Sequence, residues 1–230
     1  MLVIAHRGAS VDAPENTVEA FRLADEQGAD AVELDVRLAR TGELLVRHDA
    51  LTADGHEAAS VPALSAALDA CGNEMLVNVE IKNLASDGGF DASMSIARGT
   101  IDELRRRGAG AAGRWLISSF SWATIGACRA YSDEIATAYL CTALDEQRID
   151  RIAAAGHAAV HPWEGLVTPS LVERCHAAGL LVNTWTSNDP VRLAELAHMG
   201  VDGVCTDVPA RARRALGRQA VSPADRPHSW

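Results

Sequence analysis

Two pairs of residues set the first chemical constraint. Glu33 and Asp35 are two apart, and so are Glu80 and Lys82. In an extended strand, residues two apart leave the same face. The run around Glu80 is otherwise apolar and reads as buried, and a buried carboxylate must be paired or bound to a cation. Three carboxylates with Lys82 and Arg7 suggest a hard cation beside a bound anion. Oxygen-only ligands favour Mg2+ or Ca2+ over zinc, with Mn2+ as a third choice. A salt-bridge network of the same residues, with no metal, satisfies the pattern equally well at this point. His6 follows the first apolar run, and His48-Asp49 follows a short one. Histidine titrates near neutrality and suits general acid–base work, although a lone histidine is more often a satisfied core residue. Asp49 reads as a turn residue, and Trp185 fits core packing as well as a site. His56, His157, His176 and His198 lie in loop or helical context and receive no role.

Short apolar runs, alternating with helical patterns, have to position these side chains. The strand candidates are Leu2–Ala5, Ala31–Val36, Leu76–Ile81, Trp115–Ser118, Ile135–Leu140, Ala158–His161, Leu180–Thr184 and Gly203–Thr206. Leu44–Arg47 adds a short extra strand, entered through the turn Thr41-Gly42. Helical segments include Thr17–Gln27, Ala92–Arg107, Thr168–Ala178 and Pro190–His198. Gly28, Gly108, Gly179 and Gly200 sit just beyond them, where a left-handed cap is wanted. Repeated strand-then-helix units imply a parallel sheet. An open dinucleotide-binding sheet wants a glycine-rich turn after its first strand, but that position reads Ala5-His6-Arg7-Gly8-Ala9. The fold class is therefore α/β, a single (β/α)8 TIM barrel over residues 1–217, with a disordered C-terminal tail at 218–230. In such barrels the working residues sit at the C-terminal ends of the strands, where His6, Arg7, Glu33, Asp35, His48, Glu80, Lys82 and Trp185 all fall.

Bulk composition narrows the partners. The formal charge is -10, which argues against binding a nucleic-acid backbone or an anionic membrane surface. Five cysteines without a CxxC pair read as small buried residues in a reducing compartment rather than a disulfide frame. The first apolar run is too short for a signal peptide, and no stretch approaches the ~20 apolar residues of a membrane helix. These features point to a soluble, cytoplasmic protein, and they leave its oligomeric state open.

Ordered along the chain, the motifs resemble one family. His6-Arg7-Gly8-Ala9, Pro14-Glu15-Asn16-Thr17 and Phe21 are followed by Gly28-Ala29-Asp30, Glu33-x-Asp35 and Gly42-Glu43-Leu44-Leu45-Val46-x-His48-Asp49. Then come Asn78-x-Glu80-x-Lys82, Ser118-Ser119-Phe120, Val182-x-x-Trp185-Thr186-x-Asn188 and Gly200-Val201-Asp202-Gly203-Val204-Cys205-Thr206-Asp207. This set, spanning nearly the whole chain, resembles the glycerophosphodiester phosphodiesterases. The resemblance implies that Glu33, Asp35 and Glu80 bind the metal and that His6 and His48 form an acid–base pair. It implies phosphate contacts from Arg7 and Lys82, and an aromatic near the substrate in Trp185; Glu15 matches a position near the metal. The implied reaction is hydrolysis of a glycerophosphodiester through a cyclic phosphate, giving glycerol 3-phosphate and an alcohol.

One departure stands out. Many members of that family carry an insertion after the His-Asp motif, whereas here only Ala50–Ser60 separates Asp49 from Val61-Pro62-Ala63-Leu64, which restarts the barrel pattern. The shortened segment bears on substrate choice. A related phosphodiesterase of lysophospholipase D type and a non-catalytic binding barrel are the competing readings.

Overall fold

A computed structural model describes residues 1–51, 61–87, 89–218 and 226–230. Each expected strand forms: β1 (Leu2–His6), β2 (Ala31–Leu38), β3 (Leu44–Val46), β4 (Leu76–Ile81), β5 (Trp115–Ser119), β6 (Ala136–Cys141), β7 (Ala159–Pro162), β8 (Leu181–Thr184) and β9 (Gly203–Thr206). All but β3 pair in parallel, and β1 pairs with both β2 and β9, closing the barrel. The short β3 runs antiparallel to β2 as a hairpin extension, pairing Val36 with Val46. It carries the chain to His48 at the barrel mouth.

The helices are α1 (Val18–Glu26), α2 (Leu64–Ala70), α3 (Ser95–Arg105), α4 (Trp122–Tyr131), α5 (Glu146–Ala154), α6 (Pro169–Ala177), α7 (Pro190–His198) and α8 (Pro209–Ala215). The first shows why this sequence is helical and how it supports the site. The Thr17 hydroxyl accepts the Ala20 N–H at 3.1 Å, capping the start. Ala20, Phe21 and Ala24 recur on one face and are buried against the barrel. Burial of Phe21 alone is worth about 1.5–3 kcal/mol. Gly28, at φ 78°, ends the helix. The loop that follows β1 lies directly on α1. Gly8 has φ 87°, and a Cβ there would come within 2.6 Å of Ala20, so only glycine lets His6 and Arg7 enter the site from this loop.

Small and branched residues fill the barrel interior at its N-terminal end. Ile4, Ala31, Leu76 and Cys205 form one cluster, and Leu116, Ala138 and Ala159 another. Trp230 packs against both clusters, with its Nε1 donating to the Arg114 carbonyl at 3.0 Å. Both described ends of the 218–230 segment thus meet the barrel. Arg218 pairs with Asp30 at 3.0 Å, and Arg226 is buried and paired with Asp25. An amphipathic tryptophan and two arginines found partners that only the closed barrel provides. Residues 219–225 lie outside the described residues. All five cysteines are free thiols and buried. Among the described residues, no helix is long and apolar enough to cross a membrane.

Candidate active site

Strand register brings the acidic residues together. His6 stands beside Glu33, Glu33 beside Asn78, and Asp35 beside Glu80. Glu33, Asp35 and Glu80 are all buried, and one oxygen from each lies within 4.8 Å of the others. Burial, then the charges of Asp35 and Glu80, push the Glu33 carboxyl well above its usual range. Burial and the Asp35 charge raise Glu80 also, against the pull of Lys82. Burial opposes the charge on Asp35 too, but Lys82, Arg7 and Asn16 outweigh it and hold that carboxyl low.

Both cations are tied into this cluster. Lys82 Nζ lies 3.0 Å from Asp35 Oδ1 and 2.5 Å from Glu80 Oε1. Arg7 Nε lies 3.2 Å from Asp35 Oδ2, and its Nη1 donates to both oxygens of Glu15. The Arg7 backbone N–H donates to Glu33 Oε2 at 3.0 Å. Asn16 reaches in from the loop before α1. Its Nδ2 donates to Asp35 Oδ2 at 2.8 Å, and its Oδ1 accepts the Asp35 N–H at 3.1 Å. Asn16 belongs to the quoted Pro14–Thr17 motif, yet nothing in its type showed that it would clamp Asp35.

The two histidines are oriented alike. His6 Nδ1 bonds Asp207 Oδ1 at 2.7 Å, and His48 Nδ1 bonds Asp49 Oδ1 at 2.9 Å. An ionised carboxylate only accepts, so each Nδ1 carries a proton and each Nε2 is left for the cavity. Asp207 is the better held partner. It also accepts from Ser10 Oγ and from Asn188 Nδ2, the latter at 2.6 Å. Against the effect of burial, the bonds from His6 and Asn188 bring its carboxyl down to about 2. The His48 carbonyl accepts two bonds from the Arg37 guanidinium, at 2.8 and 2.6 Å. Asp49 is thus a partner of His48 rather than only a turn residue.

These groups share one cavity of about 250 Å³. Its charged side presents His6, Arg7, Glu33, His48, Glu80 and Lys82, and its other side Phe120, Leu140, His161 and Trp185. Trp185 meets Phe120 edge to face, ring centres 5.4 Å apart, and spends its Nε1–H on the His161 carbonyl at 2.8 Å. Its ring therefore offers the cavity an apolar surface. His6, Arg7, Glu33, His48, Glu80, Lys82 and Trp185 line this cavity, and Asp35 belongs to the adjoining carboxylate cluster; His161 lines it too, and Asn16 and Asp207 bond residues of the site.

The acidic cluster fits a hard divalent cation. Glu33 Oε1 is buried and accepts no hydrogen bond among the described residues, and Asp35 Oδ1 and Glu80 Oε1, equally buried, have Lys82 beside them. Oxygens bound to one Mg2+ or Ca2+ at its usual distances lie up to ~5 Å apart, which matches the spacing.

Comparison with known proteins sets this site in a family. The model of the glycerophosphoryl diester phosphodiesterase family matches residues 6–57 and 51–211. The chain belongs to this family. A glycerophosphodiester phosphodiesterase of Caldanaerobacter subterraneus subsp. tengcongensis is 29% identical over 241 residues, 90% of this chain and 94% of that relative. One of Bacillus altitudinis is 27% identical over 242 residues, covering 91% and 96%. Among solved structures, a phosphodiesterase of Oleispira antarctica in complex with the product sn-glycerol-3-phosphate superposes with a TM-score of 0.82. It is 25% identical, and the match covers 94% of this chain and 97% of that one. Family members thus carry the same barrel, and the cavity described above occupies its C-terminal face.

Proposed function

We propose that this chain hydrolyses glycerophosphodiesters to glycerol 3-phosphate and an alcohol, with a divalent cation held by Glu33, Asp35 and Glu80. The observation that carries this reading is the cluster of three buried carboxylates, one oxygen of each within 4.8 Å of the others, beside two histidines whose Nδ1 atoms are anchored. The family supports it, as do the named activity of the Caldanaerobacter relative and the product bound to the Oleispira enzyme.

The bound cation would supply Lewis-acid stabilisation of charge on the phosphoryl oxygens. Arg7 and Lys82 offset the charge of the diester at the same place. One histidine Nε2 removes the proton from the glycerol 2-hydroxyl as its oxygen attacks phosphorus. The other delivers a proton to the departing alcohol oxygen, whose bond to phosphorus breaks. The histidines then exchange roles: one activates water, which opens the cyclic phosphate, and the other protonates the 2-oxygen. Asp207 and Asp49 keep both rings in the tautomer that this exchange needs. Trp185 and Phe120 present the apolar wall.

The test is glycerophosphocholine hydrolysis during a metal titration. Activity should vanish in EDTA and return with Mg2+, Ca2+ or Mn2+. Full activity after exhaustive chelation would exclude the cation, and no turnover with any of the three would exclude the reaction.

A further inference from the structure

One polar group on the apolar side of the cavity has no part in the mechanism above. His161, on β7, is 1% exposed and lines the cavity beside Trp185, Phe120 and Leu140. Its Nε2 is bonded by Asn183 Nδ2 at 3.1 Å. Asn183 is itself seated against Gly203, where a Cβ would collide with its amide, so the ring has little freedom to turn. With Nε2 occupied, Nδ1 is the ring's remaining polar atom, and it makes no hydrogen bond among the described residues. Burial brings the ring's pKa down to about 3, so it stays uncharged wherever the protein is folded and active. The Asn183 amide can only donate, so Nε2 accepts and the uncharged ring carries its proton on Nδ1, which can donate to an oxygen in the cavity. A phosphate is met by the charged Arg7 and Lys82, which leaves a hydroxyl oxygen as the partner for this N–H.

Size decides which hydroxyl. The cavity, about 250 Å³, falls below the ~300–1,000 Å³ typical of drug-sized ligands. It encloses a glycerol phosphate rather than a whole diester, so the head group faces the mouth. With the phosphate against Arg7 and Lys82 and the 2-hydroxyl at a catalytic histidine, the glycerol carbons lie along Trp185 and Phe120. The only hydroxyl left to reach the opposite wall is the one on the terminal carbon.

We propose that His161 is a specificity-determining residue whose ring nitrogen bonds the terminal hydroxyl of the substrate glycerol. The assignment rests on the glycerophosphodiester reading. It narrows that reading to diesters whose terminal hydroxyl is free. An acyl chain there would have to leave through the wall formed by His161 and Leu140.

Three substrates test this on the enzyme loaded with its divalent cation. They are glycerophosphocholine, its 1-deoxy analogue (a propane-1,2-diol phosphocholine) and 1-acyl lysophosphatidylcholine. The analogue keeps the attacking hydroxyl and loses only the terminal one. Wild-type enzyme should favour glycerophosphocholine over the analogue by at least about tenfold in kcat/KM, because a site built around a hydroxyl rejects the molecule that lacks it. It should not turn over the lysolipid. In His161→Leu the ratio of glycerophosphocholine to analogue should fall toward one, whatever loss both substrates share, and His161→Gln should restore part of it. A wild-type ratio near one overturns the assignment without any variant, so a folding failure of His161→Leu cannot shelter it. An unchanged ratio in a folded His161→Leu overturns it as well, since a merely structural role would lower both substrates together. Efficient lysolipid hydrolysis would also overturn it while leaving phosphodiesterase activity in place. No turnover of any of the three would overturn the activity and this assignment with it.

Discussion

His6 Nδ1 stands 2.7 Å from Asp207 Oδ1, a bond between the first strand of the barrel and the residue that leaves the last. Barrel closure through the β1–β9 pairing therefore orients the proposed acid–base group His6 as well as satisfying two sheet edges. Asp207 is held in turn by Asn188, whose Oδ1 accepts from Thr206 Oγ1 and from the Asp207 N–H. A carboxylate fixed on several sides can fix the imidazole it touches.

Asp207→Asn should lower kcat by about 10²- to 10⁴-fold with little change in KM, because an amide no longer holds His6 in the tautomer that leaves Nε2 free. The bond to His6 also gives a pH signature. The Asp207 carboxyl lies at about 2 in the folded chain, below its unfolded value near 3.9. Its contribution to stability is fully present above about pH 4 and is lost as pH falls toward 2. The melting-temperature difference between wild type and Asp207→Asn should therefore shrink across that window. A difference that is constant from pH 5 to 2 would mean the bond does not form.

Chelation should act on stability as well as on rate. Burial and mutual charge raise Glu33 and Glu80. A carboxyl whose folded pKa is raised stabilises below its unfolded value and ceases to do so as pH rises through the folded one. Without a cation, the cluster should thus weaken the fold progressively above about pH 4.5. Mg2+ or Ca2+ should raise Tm, by an amount that grows with pH, because the ion competes with protons for the same oxygens. Glu80→Gln should abolish both activity and the cation-dependent rise in Tm. A rise in Tm as large as that of wild type in this variant would place the cation elsewhere.

His6→Ala and His48→Ala should each lower kcat by about 10²- to 10⁴-fold, with the far-ultraviolet circular dichroism of the wild type. Retention of activity within a few-fold of wild type by either variant would make that histidine structural.

Much of this arrangement was legible in the chain, for identifiable reasons. The β4 strand is buried along its whole length, so its apolar run announced it. Gly28 and Gly179, at φ 78° and 77°, ended their helices where left-handed backbone was required. Carboxylates two apart on adjacent strands could be placed on one face without coordinates. Partnerships across the closed barrel could not. His6 and Asp207 are 201 residues apart, and nothing local in either announces the other. His161 closes the strand run Ala158–His161 and received no role; only its neighbours make it polar lining. The α4 helix carries a weak amphipathic pattern, with Thr124 and Cys128 among its buried residues, and α8 is arginine-rich, so neither stood out from periodicity. The Ala50–Ser60 segment, expected to affect substrate choice, falls largely outside the described residues.

Asn16 offers a test of how the clustered carboxylates are positioned. It has φ 58°, is buried, and makes two bonds to Asp35. Asn16→Ala removes the partner of a buried N–H, at about 1–3 kcal/mol. It also forces alanine into left-handed backbone, at about 1–2 kcal/mol. Asn16→Gly removes the bonds and keeps the backbone relaxed. Urea unfolding should therefore rank wild type above Asn16→Gly and that above Asn16→Ala, while both variants bind the cation more weakly. Equal stability of the two variants would show that the backbone there is unstrained.

Head-group selection should be loose. In the proposed reading the enclosed part of the site, about 250 Å³, takes glycerol and phosphate, so the departing alcohol would lie toward the mouth. Its neighbours there are His48, whose side chain is 39% exposed, and Asp49, at 76%. Groups this open to water offer little apolar contact, and each missing apolar contact forfeits only ~1–3 kcal/mol of discrimination. Choline, ethanolamine, glycerol and serine diesters should accordingly show kcat/KM values within about tenfold of one another, or ~1.4 kcal/mol. The glycerol side should remain strict, because its 2-hydroxyl is the proposed attacking group; a 2-deoxy analogue should not react. A hundredfold preference for one head group would mean that a wall beyond these residues covers the mouth. Turnover of the 2-deoxy analogue would mean that water attacks phosphorus directly, and the two histidines would then serve one displacement instead of two.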